Sequence, residues 1–200
     1  MPRRPKIGDL FEIETSKGMA YGQYCHREGG EPLGAGPLIR VIEGLHNRRP
    51  TDLQVIARQP TLFWTYYPLG AALNQGLVTN LGTFPIPAEA AEYPVLRSRR
   101  GIDRTGLVYD WNILGRDTEL RATIIRIVRI LNREEQRLSE AVIVSHPVLI
   151  DRIEEQYRPE TDPVMLRANR HWTEATTGEN AARGRANGLE DDRTQGDCCS

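Results

Sequence analysis

Cysteine is scarce: three in 200 residues, two of them adjacent at Cys198 and Cys199. That spacing excludes the disulfide framework of small secreted domains and leaves Cys25 as a small core residue. Long apolar runs are missing as well, since the richest window, Ala122 to Leu131, is broken by Arg126 and Arg129 and is far too short to cross a bilayer. The opening Met1-Pro2-Arg3-Arg4-Pro5-Lys6 is basic but lacks the apolar stretch of a secretory signal, so a cytoplasmic location is expected. The terminal Cys198-Cys199-Ser200 lacks the four-residue box of a prenylation site, so no membrane anchor is expected either. Neither sign of charge is in excess. The formal net charge is -1, balanced before and after residue 157, which gives no uniform field to recruit nucleic acid or anionic lipid.

Motifs of catalysis and metal binding are equally sparse. Gly29-Gly30-Glu31-Pro32-Leu33-Gly34-Ala35-Gly36 has glycines but neither a following Lys-Ser/Thr nor a helix, and it reads as a hairpin loop rather than a phosphate cradle. His26, His46, His146 and His171 show no paired helical spacing and no neighbouring Cys pair, so no metal is expected. Cys25-His26 and Ser145-His146 are sequence neighbours, and adjacent side chains on a strand point to opposite faces, so neither pair makes an activated nucleophile. Approach of His46 or His146 to Cys25 through the fold stays open. Asp9, Glu12, Glu14, Asp110, Asp117 and Glu119 are the carboxylates from which an acid-base pair would be drawn, and most are expected on the solvent side of strands or in turns. The expectation is a non-enzymatic chain with no catalytic residue, cofactor or metal.

What is present is strand patterning. Phe11, Ile13 and Thr15 alternate with Glu12 and Glu14, and a turn at Ser16-Lys17-Gly18 returns the chain as a second strand, which predicts an opening β-hairpin. Leu38 to Glu43, Leu62 to Tyr67, Val78 to Thr83 and Leu107 to Trp111 read as further strands, and Asp52 to Ala57 as one or two helical turns. Pro87, Pro94 and the basic run Arg97-Ser98-Arg99-Arg100 favour an irregular connection. Thr118 to Leu138 fits either a helical face or a β-branched strand. The reading preferred is a strand over 122 to 130, then a short helix opened by a capping box of Asn132 and Glu135. Pro147 to Tyr157 reads as a helix. The fold class expected is α+β, a strand-dominated small domain built on an antiparallel sheet or partly open barrel, with short C-terminal helices. From Arg158 the composition turns polar and unpatterned. Residues 1 to 157 are therefore expected to form one globular domain and residues 158 to 200 a disordered tail, with Trp172 and Val164-Met165-Leu166 its only features suited to docking.

An ordered set of short segments then stands out: Lys6-Ile7-Gly8-Asp9-Leu10-Phe11-Glu12-Ile13, Ala20-Tyr21-Gly22-Gln23, the strand Leu38 to Glu43, Leu62-Phe63, Leu69 to Gly76, and Leu81-Gly82 before Pro85. This order resembles the Immunity protein 26 family over about the first 115 residues. The resemblance implies a protein of a bacterial polymorphic-toxin system that binds a cognate toxin domain and holds it inactive, with no catalytic residues. Such an inhibitor acts by occlusion, and against a nuclease toxin Glu12, Glu14, Asp117 and Glu119 would imitate a nucleic-acid backbone. The reading from another class is a small nucleic-acid-binding or regulatory β-module, using the Arg97 to Arg104 loop and stacking on Trp64, Tyr66 and Tyr67.

Overall fold

A computed structural model of the chain describes residues 4–28, 36–116 and 122–188. The opening alternation forms its hairpin: β1 (Asp9–Thr15) and β2 (Gly18–Glu28) pair antiparallel, with Phe11 opposite Gly22 and Glu12 opposite Tyr21. Only glycine fits at Gly22, because a β-carbon there would lie 2.5 Å from the Phe11 ring. β3 (Gly36–Ile42), α1 (Leu53–Ala57), β4 (Thr61–Tyr66), α2 (Leu69–Asn74) and β5 (Thr79–Thr83) follow. The first sheet has the order β4-β3-β2-β1-β5. After α3 (Ala88–Ala91), the strands β6 (Leu96–Ile102), β7 (Val108–Arg116) and β8 (Ala122–Val128) form a second antiparallel sheet in the order β6-β7-β8. Helices α4 (His146–Glu154) and α5 (Pro163–Gly188) close the described chain. The fold is thus α+β and strand-dominated, with two antiparallel sheets.

Both faces of the first sheet are covered. Phe11, Ile13, Tyr24, Ile39, Val41, Phe63 and Tyr67 pack with Leu69 and Ala72 of α2 and Leu149 and Ile153 of α4. On the other face Leu10, Tyr21 and Ile42 meet Ile56 of α1. This second layer corrects the expectation for the carboxylates of β1. Asp9 and Glu12 are buried, and only Glu14 reaches solvent. Asp9 accepts hydrogen bonds from Lys6 N, Asn80 Nδ2 and Thr83 Oγ1 at 2.9, 3.0 and 2.6 Å, tying β1 to β5.

Further along, the capping box forms as expected: Glu135 N donates to Asn132 Oδ1 at 2.9 Å, and Asn132 N donates back to Glu135 Oε2 at 2.8 Å. It opens a single 3-10 turn, Glu135–Arg137. Two expectations fail. The Arg97 run is not an irregular loop but the body of β6, paired with β7 from Leu96 opposite Leu114 to Ile102 opposite Val108. Its charges are accommodated because Arg97 is fully buried against Asp162 and Arg99 is paired with Glu140.

The second concerns the first part of the expected tail. Residues from Pro163 form α5, and its Met165 and Ala168 are fully buried against Val108, Trp111 and Ile113 of the second sheet and Leu131 beyond β8. Asn169 is nearly buried and clamps the backbone of Leu131 through both its amide atoms, at 3.0 Å each. Trp172 Nε1 donates to Val108 O at 2.9 Å. Apolar residues too sparse to signal a core by themselves suffice here, because the sheet supplies the opposing surface. The terminal Cys198 and Cys199 lie outside the described residues.

An extended strip, Ser139 to Val144, joins the two sheets. Arg97 N donates to Ser139 O and Ala141 N to Arg97 O along the outer edge of β6, at 3.0 and 2.7 Å. Tyr66 N donates to Val142 O and Val144 N to Tyr66 O along the outer edge of β4, at 3.1 and 3.0 Å. The strip's Glu140 is buried between Arg99 Nε at 2.5 Å and Arg152 Nη2 at 3.6 Å.

The packing of α5 sets a direct test. Met165→Ala should cost about 2–5 kcal/mol in urea unfolding, as expected for a buried methionine. A disordered segment would tolerate the change with no shift of the midpoint.

Candidate partner-binding surface

Among the described residues, several of the sequence's chemical candidates make structural contacts. Cys25 is buried in β2, its Sγ 3.5 Å from Gln23 O, and burial pushes its thiol up to about 12. A nucleophilic cysteine needs the opposite shift. His26 points to the junction of the sheets, where its Nε2 lies 3.1 Å from Ala90 O and its ring meets those of Trp64 and Tyr93. His46 packs edge-on against Tyr21. His146 Nδ1 lies 2.8 Å from the Tyr67 hydroxyl, and burial pushes that phenol up to about 12 and the imidazole down. Among the described residues no group of three His, Cys, Asp or Glu side chains is arranged to hold a metal ion, and no helix is long and apolar enough to cross a membrane.

Glu12 is a buried carboxylate with a full set of donors. Arg49 grips it from Nε to Oε2 at 2.9 Å and from Nη2 to Oε1 at 2.6 Å, and the Tyr21 hydroxyl adds 3.1 Å to Oε2. The Arg49 hydrogen bonds hold this carboxyl below its ordinary range against the opposing effect of burial, and burial raises Tyr21 to about 12. A carboxylate so saturated is closed to a partner. Of the four acids expected to imitate a nucleic-acid backbone, Glu12 is therefore excluded, Glu14 is exposed, and Asp117 and Glu119 lie outside the described residues, as do residues 29–35 of the glycine loop.

The stacking platform dissolves similarly. Tyr66 and Tyr67 are buried, and Trp64 is half-buried against His26. In the basic segment only Arg100 and Arg104 stand exposed, since Arg97 is interior and Arg99 is spent on Glu140. A surface depression of about 100 Å³ lined by Gln54, Ala57, Arg58, Pro85, Ile86 and Pro87 is well below the size of an ordinary small-molecule site.

One surface is left that packing does not explain. β8 is an edge strand, paired with β7 alone among the described residues. The strip Ser139 to Val144 covers the outer edges of β4 and β6, and β5 is short, whereas β8 runs seven residues with its outer edge open among the described residues. Its side chains should be polar for such an edge, yet Ile124, Ile125 and Ile127 are 46%, 54% and 48% exposed. Directly opposed residues share a face of a sheet, so Ile124 and Ile127 lie on the face of Leu114 and Asn112. A bulge between Ile113 and Leu114 moves Ile125 to the other face, where its Cγ2 would be 3.4 Å from a β-carbon on Gly115. Arg126 shares that second face, opposite Ile113, and is ion-paired to Glu135 while more than half its side chain remains exposed. The strand itself was legible in the sequence; its exposure was not. The one signal was the pairs Ile124-Ile125 and Ile127-Val128 on either side of Arg126, which lack the alternation that a half-buried strand imposes.

No family model, curated protein or solved structure matches this chain. The likeness to the Immunity protein 26 family therefore stands on the order of residues alone.

Two measurements check the assignment of the candidates. In a chain carrying Cys198→Ser and Cys199→Ser, Cys25 should stay unreactive to a thiol reagent at pH 8 and react at the unfolded rate once denaturant is added. For the histidines, burial lowers both His26 and His146 from the ordinary value of 6.5. The unfolded chain then binds more protons, so stability is complete above pH 6.5 and is lost as pH falls from there through the lowered native values. Thermal melts should show Tm dropping between pH 7 and 5, with a smaller drop in His26→Asn.

Proposed function

We propose that this chain is an immunity protein, binding a cognate bacterial toxin domain and neutralising it by occlusion. The observation that carries the reading is the open, isoleucine-rich edge of the second sheet. An apolar strand edge attracts other chains indiscriminately unless a dedicated partner covers it, which is the economy of a binding protein rather than of an enzyme. The ordered segments from Lys6 to Pro85 support the class of partner, because they are the part of the chain that resembles the immunity family. A stable inhibitory interface buries on the order of 800 Å² per side, with a few central anchors. Ile124, Ile125 and Ile127 are suited to that central role. The test is capture of the tagged chain from lysate of its host, with stoichiometric polypeptides identified by mass spectrometry. The result expected is one toxin-domain polypeptide in a complex that lacks the toxin's activity, the activity returning when the two are separated. A preparation carrying nucleic acid and no protein partner would overturn the reading.

A further inference from the structure

We infer that β8 receives its partner as an added β-strand: an extended segment of another protein whose apolar residues cover Ile124 and Ile127 and whose opposite face brings a carboxylate to Arg126. This rests on the reading of the chain as a binding protein and specifies the mode of binding.

Three features of the edge point the same way. First, the exposed isoleucines lie on both faces of the strand, Ile124 and Ile127 on one and Ile125 on the other. A partner lying flat on either face would leave the other isoleucine side wet. A strand added along the edge alternates its side chains between the two faces and reaches both. Second, the protein already closes its other long edges in this way, since Ser139 to Val144 lies along β4 and β6 with main-chain hydrogen bonds to each. Third, the segment's own charge has one sign, although Arg129 already pairs with Asp110 of β7 at 3.4 Å. Residues 121 to 133 hold four arginines and no Asp or Glu. A second copy of β8 pairing with the first would therefore find no carboxylate in any register, and the bulge at Ile125 further opposes casual pairing. Arg126, anchored to Glu135 but more than half exposed, keeps donors for a carboxylate arriving along the edge. The occupant that fits is an acidic-apolar strand from a different protein.

The probe is the peptide acetyl-Glu-Val-Glu-Val-Glu-Val-Glu-amide, with acetyl-Lys-Val-Lys-Val-Lys-Val-Lys-amide as its charge-reversed counterpart, each added to the full chain. Amide hydrogen exchange is read by NMR over residues 123 to 128. The glutamate peptide should slow exchange there by about tenfold, while the lysine peptide leaves it unchanged. Arg126→Glu should reverse the preference between peptides. Ile127→Lys should abolish protection by the glutamate peptide, and it supplies the reading should Arg126→Glu not fold. Protection by neither peptide, equal protection by both, or a dimer by light scattering whose β8 amides are protected before any peptide is added would each overturn the proposal. A toxin-domain complex that forms equally well with Ile127→Lys would discard this site and keep the immunity reading. Peptide protection without any toxin-domain complex would do the reverse.

Discussion

A single buried guanidinium fixes how the second sheet meets the chain that follows it. Arg97 is fully enclosed, its plane over the Trp111 ring at 5.4 Å. Its Nη1 donates to Gln136 O at 2.5 Å, and its Nη2 to Pro159 O at 2.9 Å and Asp162 Oδ2 at 3.2 Å. Withdrawing a charge from water costs several kcal/mol unless partners of good geometry replace the solvent, so the arrangement is permissive only when all three segments are in place. Asp162 serves twice, because its Oδ1 also accepts Val164 N at 2.9 Å at the start of α5. One carboxylate thereby neutralises the interior cation and begins the helix that covers Trp111.

Much of the architecture was legible because it is local. The hairpin at Phe11 and Ile13, the turn of helix after Asp52, and the Asn132 and Glu135 box are written in residues a few positions apart, where period and capping chemistry decide. What was not legible depends on distant partners. Arg97 reads as a solvated loop residue until Asp162, sixty-five positions later, stands beside it. Glu12 reads as the wet side of an amphipathic strand until α1 and Arg49 cover that side. Met165 and Ala168 read as part of a tail because an isolated helix with so few apolar residues would not hold together, whereas against Trp111 it does.

The candidate surface follows the same division. A β-branched run at 122 to 130 announces a strand, but whether such a run is central or lies at an edge depends on which segments reach its flank. Here Ser139 to Val144 goes to β4 and β6 instead, leaving the isoleucines of β8 uncovered. The carboxylate of Glu135 connects this rim to the interior, since Oε1 pairs with Arg126 and Oε2 caps the turn after Asn132. Anything that draws Arg126 away acts on that turn, whose Gln136 carbonyl in turn holds Arg97.

The strip that seals β4 and β6 comes late in the chain. On a ribosome, β1 to β4 are in hand long before Ser139 to Val144 emerge, and the edges of two sheets stay unsealed until then. Synthesis thus imposes an interval in which the outer edges of β4 and β6 are open as well as those of β5 and β8. The nascent domain depends on rapid arrival of its last third, or on shelter by a chaperone, to avoid pairing with its neighbours.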